Sequence, residues 1–269
     1  GDLLGFDSLV GEKLAKTFDI VIQFGAILAI VAVYPGRFAG LLRWNDNRGF
    51  SGLRGLGLLL VTSIPGGLLG LTAGPTIKEH LFNPLTVAIG LAAGALWILA
   101  VERYAKRRAA GNTGLQTPNG PLDLQTSAQE QESGVDSPRR EGLDSLDWKD
   151  ALGIGLFQCF ALWPGMSRSS STILGAMMLG VERKTATEFS FFAAVPLLTA
   201  ATFYELFKSR GVLTAEHVPV FAIGFGVSFL AAWAAVKFFV RFLSRHTLEP
   251  FGWYRLAVSA VVLWWALHG

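Results

Sequence analysis

The chain is a succession of long apolar runs separated by short polar stretches. The runs are Phe18–Tyr34, Leu53–Leu71, Pro84–Val101, Phe189–Phe207, Val218–Val240 and Phe251–His268. Each is about 17–23 residues, enough to cross a hydrocarbon core of roughly 30 Å as a helix rising 1.5 Å per residue. One such run could be a buried core helix, but a series of them could not. The pattern predicts an all-α polytopic membrane protein with about six full spans.

One stretch breaks the pattern. Residues 103–148 are polar, rich in Gly, Pro, Ser and Gln, and poor in large apolar side chains. Such a segment cannot bury enough to order itself. It reads as a flexible connector between a first half, 1–102, and a second half, 149–269. The halves resemble each other. "TFDIVIQFGAILA" aligns with "EFSFFAAVPLLTA", and "LFNPLTVAIGLAAGALWIL" aligns with "TLEPFGWYRLAVSAVVLWW" in the same order and at a similar offset. Pro84 and Pro250 both stand in a first helical turn, where a missing N–H costs little. Basic residues in the 35–52 loop, after 103 and in 241–249 predict a cytoplasmic side for all three. The loop after Leu71, with only Lys78, is then external. Arg210 in the opposing 209–217 loop is a mild misfit. An odd number of spans per half makes the second copy inverted, an architecture that places sites near the midplane on broken helices.

Two apolar segments, Ala151–Trp163 and Thr172–Val181, are too short to span. Pro164-Gly165 between them ends the helix. A re-entrant hairpin is the simplest construction, and its non-helical loop must line a cavity or be covered by protein. The loop, "WPGMSRSSSTILG", holds Arg168 and five hydroxyls: Ser167, Ser169, Ser170, Ser171 and Thr172. An arginine at membrane depth is costly. A phosphate offsets that cost through paired charge-assisted hydrogen bonds. Hydroxyls add neutral donors, the following helix turns its N-terminal N–H groups to the loop, and Gly165 allows close backbone approach. The bland alternative is serines capping a helix and an arginine snorkelling to head groups.

Composition narrows the field. Only 16% of residues are charged, against about 25% in soluble domains. The net charge of +3 sits in loops flanking spans, as an orientation signal, and no nucleic-acid motif accompanies it. Cys159 is the single cysteine, so no disulfide framework or thiolate metal site is expected. His80, His217, His246 and His268 have no metal-ligand spacing, and no metal ligand is assigned in this chain.

"PGMSRSSST", Pro164–Thr172, resembles the P-G-x-S-R-S-x-x-T signature of the bacterial undecaprenyl-diphosphate phosphatases, the bacitracin-resistance family. The likeness continues through "FQCFALWPG", "TEFSFFAAVP" and "KTFDIVIQFGAILA". Members often carry glycine where Ser170 stands. The resemblance implies hydrolysis of a polyprenyl diphosphate carrier lipid to its monophosphate. That reaction recycles the carrier for peptidoglycan synthesis at the bacterial inner (plasma) membrane, with bacitracin resistance as a consequence. It also implies an inverted repeat with two re-entrant loops and a divalent cation, Mg²⁺ or Ca²⁺. Arg168, Ser167 and Thr172 are the expected catalytic residues. Gly165, Ser169, Ser170, Ser171 and Glu188 are expected to bind substrate. The family's glutamate-rich motif and its Ser/His loop have no match before Thr17. The repeat argues likewise that a hairpin of about 20–30 residues is absent before Gly1. The chain as given is then expected to lack the acid/base half of its site.

Glu188 reads equally as a partner of Arg168 or as a helix N-terminal acid. Asp19 and Gln23 share a helix face and read as interhelical packing; Lys237 and Arg255 read as snorkelling cations. Gly66-x-x-x-Gly70 and Gly90-x-x-x-Gly94 permit close helix packing within the fold or in a homodimer, which the sequence leaves open. The alternative function is a flippase or transporter for a phosphorylated polyprenyl lipid, which relocates substrate without releasing phosphate. A phosphatidic-acid-type phosphatase is disfavoured, because no histidine lies between His80 and His217.

Overall fold

The computed structural model describes residues 12–44, 49–113, 141–208, 218–243 and 245–268. The expectations placed on 1–11, on Arg48, on most of the polar connector and on the Arg210 loop lie outside these residues. The described helices are α1 (Glu12–Val33), α2 (Pro35–Leu41), α3 (Gly52–Leu81), α4 (Pro84–Thr113), α5 (Trp148–Gln158), α6 (Arg168–Met178), α7 (Arg183–Lys208), α8 (Val218–Leu243) and α9 (Glu249–His268). Short 3₁₀ turns cover Leu143–Ser145 and Cys159–Leu162, and no strand occurs among the described residues.

Among the described residues four helices are long and apolar enough to cross a membrane: Gly52–Ile77, Pro84–Arg107, Arg183–Tyr204 and Val218–Leu243. A fifth is gained if Thr17–Val33 and Pro35–Leu41, bent by 92°, count as one span. The bend follows from Pro35, which disfavours helical geometry at Tyr34 before it and starts a new helix. Of the about six full spans expected, four or five are found among the described residues. Glu249–His268 does form one helix of 20 residues.

Close backbone approach pairs the helices. Gly25 on α1 lies against the backbone of Phe225 on α8, and the Ser228 hydroxyl donates to the Ile22 carbonyl at 2.7 Å. On α9, Ser259 donates to the Ala88 carbonyl of α4 at 2.8 Å. Gly155 of α5 rests on the Thr62 backbone of α3, and the Thr62 hydroxyl donates to Ala151 at 3.0 Å. Helices α5 and α6 run antiparallel, with Phe157 over Gly175 and Leu179 over Gly153. Outward faces keep large apolar side chains such as Leu60, Leu71, Phe207, Leu230 and Phe238 exposed, as a lipid-facing bundle requires.

Polar contacts gather the loops at one end. The Asp144 carboxylate pairs with Arg37 at 3.0 Å and accepts from the Phe50 amide at 2.6 Å. Burial pushes the Asp144 carboxyl up, but the Phe50 N–H and the Arg37 and Arg54 cations outweigh it and hold the group below its usual range. Glu102, fully buried, takes both prongs of Arg183 at 3.0 and 2.5 Å and the Leu248 amide at 2.9 Å. Lys106 reaches Glu249 at 2.8 Å. The segment read as a connector over 103–148 is accordingly narrower. Helix α4 continues to Thr113, and Leu143 and Leu146 are 1% and 0% exposed in the core with Phe50, Ile154 and Phe189.

Candidate active site

The hairpin α5–α6 builds the site. Helix α5 opens with a capping box. The Asp150 amide donates to the Asp147 side chain at 2.8 Å, and the Asp147 amide donates to Asp150 at 3.0 Å. The helix tightens into the 3₁₀ turn Cys159–Leu162 and stops at extended Trp163. Pro164 then leads into Gly165, whose φ of 89° is left-handed. A side chain at Gly165 would strike the Val87 carbonyl and lie 2.8 Å from the Leu91 amide nitrogen. The turn therefore sits directly on the backbone of α4. Trp163 anchors it there by donating from Nε1 to the Thr86 carbonyl at 3.1 Å. The Ser167 hydroxyl caps α6, accepting from the Ser170 amide at 3.3 Å.

The hydroxyls divide into two sets. Ser167, Ser169 and Ser170, with Gly165, line a cavity of about 380 Å³ whose other walls include Leu91, Ile173, Phe239, Phe251 and Tyr254. Ser171 and Thr172 are buried on the opposite face of α6. Ser171 donates to the Ser167 carbonyl at 3.0 Å. The Thr172 hydroxyl contacts the Arg168 and Ser169 carbonyls at 3.1 Å and lies 2.6 Å from the Ser190 hydroxyl of α7. Both are occupied inside the protein and do not line the cavity. Arg168 opens α6, half-buried, with its Nη1 buried and without a hydrogen-bond partner.

Glu188 is not brought to Arg168. It lies on α7, where the charges acting on it are Lys184, Arg37 and Glu182. Asp19 and Gln23 are exposed on α1, not packed between helices. Lys237 is also exposed, its ammonium 3.9 Å from the Trp233 ring centroid.

Arg255 corrects the snorkelling expectation. It is 9% exposed and lines the same cavity as the serines. Its Nη2 donates to the Gly165 carbonyl at 2.6 Å and its Nη1 to the Ser170 hydroxyl at 3.2 Å. Gly94 on α4 leaves the space the guanidinium fills. The signal was present in the sequence as an arginine inside an apolar helix without a neighbouring acid.

On its other side the loop borders a larger cavity, about 600 Å³, with apolar walls from Leu69, Ile77, Trp97, Phe157, Phe160, Trp163 and Met166. Cationic and hydroxyl donors thus stand beside apolar space, which suits a phosphorylated group on a lipid. Among the described residues no three His, Cys, Asp or Glu side chains come together to hold a metal ion.

Residues 1–261 match the family model described as Bacitracin resistance protein BacA. The chain is 49% identical over 268 residues to an undecaprenyl-diphosphatase of Nitratidesulfovibrio vulgaris (strain DP4), covering 100% of this chain and 88% of that protein. It is 48% identical over 263 residues to the undecaprenyl-diphosphatase of Maridesulfovibrio salexigens, covering 98% and 87%. It is 40% identical over 276 residues to that of Cupriavidus necator, covering 100% and 87%.

Proposed function

The chain belongs to the bacitracin resistance protein BacA family, and from that premise we propose that it hydrolyses undecaprenyl diphosphate to undecaprenyl phosphate and inorganic phosphate. It is a multi-pass membrane hydrolase of the undecaprenyl-diphosphatase type. The observation that carries the reading is the hairpin loop, which sets Arg168 and the serines at the head of α6 inside a bundle of apolar helices.

In this proposal the diphosphate enters the cavity lined by Ser167, Ser169 and Ser170, and the polyprenyl chain lies along apolar walls. Arg168 binds the terminal phosphoryl group. Arg168 is not among the residues that line that cavity, but it opens the same helix, and its buried, unpartnered Nη1 supports the role, since a buried guanidinium without an acceptor gains most from an anion. Water supplies the oxygen that bonds to the terminal phosphorus as the bridging P–O bond breaks and undecaprenyl phosphate leaves, and the charge that develops on the phosphoryl oxygens is met by Arg168 and the N–H groups at the start of α6. Ser167 and Ser169 orient those oxygens. Thr172, tied to Ser190, and Ser171, tied to Ser167, contribute by fixing α6.

The described residues group no carboxylate or imidazole cage, so they do not fit a divalent ion as its ligand set, and no step above depends on one. Mg²⁺ or Ca²⁺ enters the proposal only as a companion of the diphosphate oxygens. We place the protein in the bacterial inner membrane with the end of the bundle that carries Arg37, Lys106 and Arg245 cytoplasmic. An inverted repeat is supported by two like-with-like contacts, α4 on α9 and α1 on α7, between helices that the sequence alignment pairs. Gly90 and Gly94 are already covered by Pro164 and Arg255, and Gly66 by Gln158; a homodimer would use another face.

A lipid flippase is not favoured, because the relatives carry a hydrolase name. The deciding experiment is phosphate release from undecaprenyl diphosphate in detergent with Mg²⁺ or Ca²⁺ supplied. Wild type should release phosphate, and Arg168→Ala should lose at least about 100-fold in kcat/KM. Relocation of the lipid without phosphate release would overturn hydrolysis.

A further inference from the structure

We propose that Arg255 is a positioning residue of this site, holding the Pro164–Gly165 turn and turning the Ser170 hydroxyl into a donor toward the substrate. The proposal rests on the hydrolase reading above. Arg255 comes from α9, which supplies no part of the signature loop. As a residue Arg255 is 9% exposed, and among the described residues no carboxylate pairs with it. A buried cation is retained only where its contacts offset the cost of desolvation. The contacts here are the Gly165 carbonyl of the turn at 2.6 Å and the Ser170 oxygen in the first turn of α6 at 3.2 Å.

Each contact has a consequence. The Gly165 carbonyl belongs to the left-handed residue that lets the chain double back on α4. Holding that carbonyl fixes the peptide plane leading to Met166 and Ser167, and so the cap of α6. At Ser170, the oxygen accepts from Arg255, because a guanidinium can only donate. The Ser170 proton is then free to point into the cavity that Ser170 lines. Arg255 thus selects the donor rotamer of Ser170 before substrate arrives, and its charge stands behind that hydroxyl. Pre-set donors of this kind lower the barrier without reorganisation at the moment of reaction.

The test uses the full chain in detergent with undecaprenyl diphosphate, comparing wild type, R255K, R255M, S170A and the double variant S170A/R255M. A second readout is amide hydrogen exchange across residues 163–172, which follows the loop whatever the activity. R255M should lower kcat about 10- to 100-fold, as for a lost charged hydrogen bond, with KM changed less than about threefold. R255K should recover part of kcat, since an ammonium can still donate to one acceptor. In the S170A background R255M should cost at least about threefold less than in wild type, because part of its effect passes through Ser170. Loop exchange should quicken in R255M. Unchanged exchange, kcat within about twofold of wild type, or losses that multiply fully in the double variant would each overturn the role of Arg255. If R255M does not fold, R255K decides, and wild-type kcat and exchange there overturn the proposal. Wild type that releases no phosphate overturns the hydrolase reading, while the exchange comparison still judges Arg255.

Discussion

The Thr172 hydroxyl lies 2.6 Å from the Ser190 hydroxyl, in a contact between α6 and α7 where both residues are buried. This pair fixes the rotation of α6, and with it which serines face the cavity. Thr172→Val keeps the shape and removes the partner, leaving Ser190 unsatisfied. We expect a loss of about 1–3 kcal/mol in thermal stability. Thr172→Val/Ser190→Ala should recover part of it, since deleting both polar groups leaves neither one orphaned. Melting curves in detergent for the three variants check this, and equal destabilisation of single and double variants would refute it.

The Glu102–Arg183 pair links the end of α4 to the start of α7, and Glu102 also holds the Leu248 amide before α9. With Glu102 fully buried and Arg183 mostly so, breaking the pair leaves an uncompensated cation. Glu102→Gln is expected to destabilise by about 3 kcal/mol, and Glu102→Gln/Arg183→Met by less. Thermal unfolding of the two variants beside wild type reads this directly. A double variant no better than the single would show that the charge is not the cause.

Much of the bundle was legible in the sequence, because apolar length and proline placement act locally. The hairpin was readable from two segments too short to span and from Pro164-Gly165 between them. The division of the hydroxyls was not. Ser169 and Ser170 face the cavity while Ser171 and Thr172 are buried away from it, and that depends on the rotation of α6, which its partners set. Glu188 illustrates the same limit: its place on α7 was predicted, yet α7 turns it toward Lys184 and Arg37. Arg255 reads as a snorkelling cation because its partners, in the first turn of α6 and in the turn before it, lie 85 and 90 residues away, reached only through the packing of α9 on α4. The ends of the polar connector joined the fold for a similar reason. Leu143 and Leu146 are two apolar residues in a polar stretch, and only the pocket between α3 and α7 gives them a use.

Asp144 gives a pH prediction. Its carboxyl is held below its usual value in the folded protein, so the folded state favours the ionised form. The resulting stability is fully present above the unfolded value, about 3.9. It is lost as pH falls through the lower folded value. The side chain is 54% exposed, so screening by solvent keeps the effect small. Wild type and Asp144→Asn should therefore differ in melting temperature by a constant amount between pH 5 and 7, and the difference should shrink as the pH falls below about 4. A gap that does not shrink as the pH falls below about 4 would mean that Asp144 acts by shape and not by charge.

Gly165 is where backbone strain and chemistry meet. Its φ of 89° is open to glycine and costly for any residue with a Cβ. A Cβ there would also strike the Val87 carbonyl and crowd Leu91, and backbone on a membrane helix cannot easily give way. Gly165→Ala must therefore lift the turn off α4. Lifting it moves the carbonyl that Arg255 holds and swings the cap at Ser167. The bundle itself is held by contacts elsewhere, such as Ser228 to Ile22 and Ser259 to Ala88. Gly165→Ala should lose at least about 100-fold in kcat/KM, while the bundle stays folded with a lowered melting temperature. Phosphate release and a melting curve on the same preparation separate the two effects. An active Gly165→Ala protein would mean that the turn tolerates displacement and that the donors of the site are not held by their seat on α4.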